Sequence, residues 1–136
     1  MNATTRCGLW RTRGRTLAVV VDTEGRCQRI APPPNDDSGY WNWLSSLGAE
    51  HGLDVELAVT ESMARSDSLL HLAQHSNIPV WLIPDRLADA IRYVAFAHQR
   101  GHSVAALLAR LPDAGSWRPH LRRQVSTADP RQMLLL

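Results

Sequence analysis

The chain contains no lysine; all 15 of its basic residues are arginine. Guanidinium thus takes the place of every lysine ammonium, and its planar fork suits bidentate contact with phosphate better than an ammonium does. Only two cysteines are present, Cys7 and Cys27. Two thiols cannot build a disulfide framework, so a reducing, cytoplasmic setting with both thiols buried and inert is the expectation. No apolar run approaches the ~18 residues needed to cross a bilayer. Residues 1–6 lack the apolar core of a signal peptide, so no membrane partner is expected. Strong charge is absent too: the formal net charge of +2 excludes the polycationic class of nucleic-acid binders.

That small charge is unevenly placed. Arg6, Arg11, Arg13 and Arg15 crowd the start of the chain, and Arg110, Arg118, Arg122, Arg123 and Arg131 crowd its end, where only Asp113 and Asp129 oppose them. Basic ends around a neutral middle are compatible with contact to DNA or RNA, and equally with solvated ends. The 136 residues suffice for one domain with a core.

The middle of the chain carries a repeated grammar. Leu57-Ala58-Val59-Thr60 is a short apolar run ending at Glu61, and a helix-like stretch with Ser66, Leu69, Leu70 and Ala73 follows. Ile78 to Ile83 is a second run, and Pro84-Asp85 opens a second helix. Strand, helix, strand, helix on short connections reads as a parallel βαβ unit, whose carboxyl strand ends gather ligands. Before it, Thr5–Trp10, Thr16–Val21 and Arg26–Ile30 read as three strands of a meander. Arg11 to Arg15 and Asp22-Thr23-Glu24-Gly25 are its turns, and Pro32-Pro33-Pro34 ends it. Tyr40, Trp43, Leu44 and Leu47 share one helical face, and Gly52 closes that helix. A long helix from Pro84 is interrupted at Gly101, resumes after Ser103 and stops at Pro112. Residues 1–112 are thus the expected domain, and 113–136 read as a mobile basic tail.

The order β-β-β-α-β-α-β-α, with a mixed five-stranded sheet flanked by helices, is that of the RNase H-like α/β fold. Between about Cys7 and Ala109 the residues resemble the N-terminal, RuvC-like domain of the DEDD transposases of insertion sequences. The family's first hairpin, roughly G-I-D-V-S-K, is matched by Gly8-Leu9-Trp10-Arg11-Thr12-Arg13. Its second acid follows a strand in the style of E-A-T-G, matched by Glu61-Ser62-Met63-Ala64. Ile83-Pro84-Asp85-Arg86 matches the next strand end, and Gly101 to Ala106 the late T-D-x-x-D-A segment. On this alignment Trp10, His102 and Ala105 replace three acids, and Glu61 alone remains. Two-metal phosphoryl transfer needs several carboxylates to hold Mg²⁺ or Mn²⁺ ions about 4 Å apart. The resemblance therefore implies the fold and a mobile-element ancestry, and argues against the reaction.

The expectation is a catalytically degenerate protein without catalytic residues or cofactor, linked to a transposon or an integrative conjugative element. It would bind nucleic acid through Arg11, Arg13, Arg15, Arg118, Arg122 and Arg123, or bind a protein of the transposition or conjugation machinery. The alternative is a divergent nuclease in which Glu61, Asp85 and Asp89 hold Mg²⁺ or Mn²⁺. A third reading is a subunit that forms a homodimer through its helices. The pairs His71/His75 and His98/His102 have helical i,i+4 spacing but no partner motif, so no zinc site is assigned. Trp10, Trp41 and Trp117 are candidates for base stacking, with Trp43 and Trp81 assigned to the core.

Overall fold

The computed structural model describes residues 4–12, 14–34, 37–51, 54–66, 71, 73, 76–95 and 101–124. Strands β1 (Arg6–Thr12) and β2 (Arg15–Val21) form a hairpin in which Thr12 faces Arg15. The reversal is tight because Gly14 takes φ +75°, a conformation that costs glycine little. The expected turn over Arg11 to Arg15 is therefore too long, and Arg11 belongs to β1. Strand β3 (Cys27–Ile30) pairs antiparallel with β2. The connecting turn is held by Asp22, whose Oδ1 accepts from the backbone N–H groups of Glu24 and Arg26, each at 2.9 Å. The Arg26 N–H, helped by that of Glu24 and by the Arg26 guanidinium, keeps the Asp22 carboxyl below its ordinary value. Gly25 completes the turn at φ +82°.

Helix α1 (Asp37–His51) follows, then β4 (Glu56–Thr60), the short α2 (Glu61–Ser66) and β5 (Val80–Ile83). Helices α3 (Asp85–Ala95) and α4 (Gly101–Arg110) come next. Gly52, His75, His98 and Arg13, all named from the sequence, lie outside the described residues, as does the side chain of His102. No described helix is long and apolar enough to cross a membrane.

The sheet is mixed and has six strands in the order β3-β2-β1-β4-β5-β6. β1 is antiparallel to β2 and parallel to β4, and β4 is parallel to β5. The sixth strand corrects the expected five. β6 (Arg122–Gln124) runs antiparallel to β5, with Arg123 opposite Trp81. The stretch 113–124 is thus part of the fold and not a tail. Its two 3₁₀ turns, Leu111–Asp113 and Arg118–His120, carry the chain back to the sheet edge. Arg-Arg-Gln has no apolar alternation, so the periodicity that identifies half-buried strands has nothing to register there.

The pleat sends alternate residues to two cores. Cys7, Leu9, Leu57, Val59, Val80 and Leu82 face Tyr40, Leu44 and Leu47 of α1. Trp10, Val19, Val21, Ala58, Trp81 and Ile83 face Val104, Ala105 and Leu108 of α4 and Ala88 of α3. β4 is buried along its whole length, as befits a parallel strand covered on both faces.

Candidate functional site

Arg6 is buried in β1, and a buried guanidinium needs counter-charge and hydrogen bonds. Register places Glu56 of β4 beside it. Arg6 Nε donates to Glu56 Oε1 at 3.0 Å, and Arg6 Nη1 donates to Asp113 Oδ2 at 2.6 Å. The Trp81 indole of β5 donates to the same Glu56 oxygen at 2.8 Å. From β6, Arg123 Nη2 and Nε reach Glu56 Oε2 at 2.8 and 3.3 Å. One carboxylate therefore collects donors from three other strands. Burial alone would raise the Glu56 carboxyl. The Trp81 indole and the Arg123 and Arg6 guanidiniums outweigh that and hold it below its ordinary value. The guanidinium carbons of Arg6, Arg118 and Arg123 lie 5.7, 5.4 and 6.0 Å from the centre of the Trp81 ring. All three are within cation–π reach. The network ties the last strand and the preceding 3₁₀ turn to the sheet. Sequence reasoning missed it, although Glu56 inside the apolar run 55–59 was a visible signal.

A second group of charges sits at the carboxyl ends of β4 and β5. Glu61 opens α2 directly after β4, and Asp85 opens α3 one residue, Pro84, after β5. Ser62 Oγ donates to Asp85 Oδ1 at 2.7 Å. Arg65 spans the two acids, with Nη1 3.5 Å from Glu61 Oε2 and Nη2 3.4 Å from Asp85 Oδ2. Arg122 Nη2 lies 3.8 Å from the same Glu61 oxygen. Two of the three acids of the nuclease alternative are thus brought together, but the cation between them is a guanidinium. Asp89, one turn along α3, is exposed and makes no ion pair among the described residues. Among the described residues, no group of three or more His, Cys, Asp or Glu side chains is placed to hold a metal. His71 is exposed.

Trp10 and Ala105, two of the positions that the resemblance aligns with catalytic acids, lie in the second core. Trp10 is only 9% exposed and packs in the cluster containing Val104, Ala105 and Leu108. Helix α4 rides close over β1: a Cβ on Gly8 would stand 1.9 Å from the Ala105 carbonyl oxygen. Gly8 is therefore what lets helix backbone lie against strand backbone at this point.

The arginines named from the sequence divide into different environments. Arg11 Nε donates to Thr16 Oγ1 and Arg11 Nη2 to the Tyr40 hydroxyl, each at 3.2 Å. It thereby couples the hairpin to α1. Arg15 is exposed at the start of β2. Arg118 rests on Trp81, and Arg123 is anchored by Glu56. Arg122, its side chain 65% exposed, projects from the edge strand. The hairpin pair and the β6 group belong to different parts of the sheet, since β4 and β5 separate β1 from β6.

Among the tryptophans, Trp10 is core and not a stacking platform. Trp41 and Trp117 are exposed at 44% and 45%. Trp81 is buried as expected, and the half-buried Trp43 donates its indole N–H to the Ala31 carbonyl at 2.7 Å. Of the two thiols, Cys7 is buried and its pKa is pushed up by that burial, whereas Cys27 is exposed and lies 3.1 Å from Arg110 Nη2. The expectation of two buried thiols holds for Cys7 alone.

Comparison of the chain with models of protein families gives no match, and comparison with curated proteins gives none.

Proposed function

We propose that the chain is an RNase H-like domain that keeps the scaffold without the reaction. On this reading it binds nucleic acid as an accessory factor of a mobile element. The strand order β3-β2-β1-β4-β5, with β1 central and a late helix laid over it, supports the fold assignment. The observation that carries the functional part is the packing of Trp10 with Ala105 and Leu108. A pair of metal ions needs several oxygen ligands and water at its site. The side chains of Trp10 and Ala105 supply no oxygen ligand at two of the positions where the resemblance expects acids. What the scaffold retains toward nucleic acid is exposed arginine, at Arg15 in the hairpin and at Arg118 and Arg122 beside the sheet edge. A protein of the transposition or conjugation machinery is the rival partner.

The test is incubation of labelled single-stranded and duplex DNA and RNA with the purified protein in Mg²⁺ or Mn²⁺. Substrates should remain uncut. Cleavage that disappears in Glu61→Gln would overturn this reading in favour of the nuclease.

A further inference from the structure

Residues 114–124 contain Trp117, Arg118, His120, Arg122 and Arg123 and no acidic residue. The structure holds this segment in place. The Trp117 and Arg118 N–H groups both donate to the Ala114 carbonyl, at 2.9 and 3.0 Å. The His120 N–H donates to Trp117 and the Leu121 N–H to Arg118, at 2.9 and 3.1 Å. Pro119 fixes the backbone within the 3₁₀ turn, and Leu121 is buried in the second core. Beyond it, β6 is paired to β5 and clamped through Arg123 and Glu56. Trp117 nevertheless stays 45% exposed, with the His120 ring 6.3 Å away and tilted by 58°.

An exposed indole on an ordered, acid-free, arginine-bearing turn is the composition of a base-stacking platform. A duplex presents phosphates but hides its base faces. A single strand presents both, and every base has a face that an indole can cover. Because the turn is already fixed by its hydrogen bonds and by Glu56, little ordering cost falls on binding. We propose that the β6 edge binds single-stranded nucleic acid, with a base stacked on Trp117 and adjacent phosphates on Arg118 and Arg122. This rests on the nucleic-acid reading above and adds the strand class and the surface. Glu61 opposes it, since its carboxylate lies 3.8 Å from Arg122 and repels phosphate.

The experiment is a low-salt anisotropy titration of labelled oligothymidine, oligouridine and a mixed-sequence duplex against the full chain. Single strands should bind more tightly than the duplex. Trp117→Ala should weaken single-strand binding roughly ten-fold, as loss of one stacked base would. Trp117→Phe should restore most of that loss. Glu61→Gln should tighten binding. The thermal midpoints of both Trp117 variants are measured alongside, so that misfolding is not read as lost binding. Duplex binding equal to single-strand binding, or a folded Trp117→Ala protein that binds oligothymidine normally, overturns this inference and leaves the nucleic-acid reading standing. Failure of the unaltered protein to bind any nucleic acid, with capture of a polyglutamate peptide instead, overturns both.

Discussion

Glu56 shows how much one side chain can organise. Its carboxylate takes Arg6, Trp81 and Arg123, and Asp113 takes the other end of Arg6. Arg6 and Glu56 have side chains only 4% and 8% exposed, so screening by solvent is weak. Removing one partner of such a pair leaves uncompensated charge in the interior, at a cost of about 3 kcal/mol or more. Glu56→Gln should therefore lower the urea midpoint substantially at neutral pH. The pH dependence has a definite sign. The folded Glu56 carboxyl is held low, so its stabilising contribution is complete above the unfolded value of about 4.3. That contribution is lost as pH falls through the folded value. Glu56→Gln should thus show a shallower acid limb than the unaltered chain. Equal acid limbs in a pH series of urea titrations would count against the network. This residue was visible in the sequence as a lone charge in an apolar run. Its partners were not, because they come from three strands brought together only by sheet order.

At the scale of elements, the strands were legible wherever the apolar pattern was long. β2, β4, β5 and the buried face of α1 fall where periodicity puts them, with Tyr40, Leu44 and Leu47 all buried. The misplacements have physical causes. Arg11 and Thr12 read as turn in the sequence because they are polar, although their backbone stays in the ladder. β6 was missed because its three residues are Arg-Arg-Gln and its hold on the fold is polar. The apolar anchor of that segment is Leu121, buried beside Trp81. Leu121→Ala should therefore cost about 2 kcal/mol, the lower part of the range for a buried leucine. Urea denaturation reads it directly: a segment that merely trailed from the domain would give no change. The acids at the strand ends were also legible as Glu61 and Asp85, since each opens a helix within two residues of its strand. Arg65, which ties them together, was not, because its role depends on two helices starting side by side.

At the scale of the molecule, the charge asymmetry of the sequence becomes two separate basic regions. Arg11 and Arg15 lie at the turn of the central hairpin, and Arg118, Arg122 and Arg123 cluster at the β6 edge. Several of these guanidiniums serve the fold: Arg11 bridges to Tyr40 and Arg123 serves Glu56. Arg15, Arg118 and Arg122 remain the exposed contacts through which a binding function would run. The most direct measurement is the salt dependence of that binding. Affinity for single-stranded DNA is titrated across a series of salt concentrations, for the unaltered chain and for a variant with Arg15, Arg118 and Arg122 replaced by alanine. If these residues neutralise phosphates, log affinity should fall linearly with log salt, by about 0.7 for each single-strand phosphate contacted. The triple variant should bind more weakly across unrelated sequences and give a flatter line. Binding that is insensitive to salt, or a slope unchanged in the triple variant, would contradict the assignment of these arginines to nucleic acid.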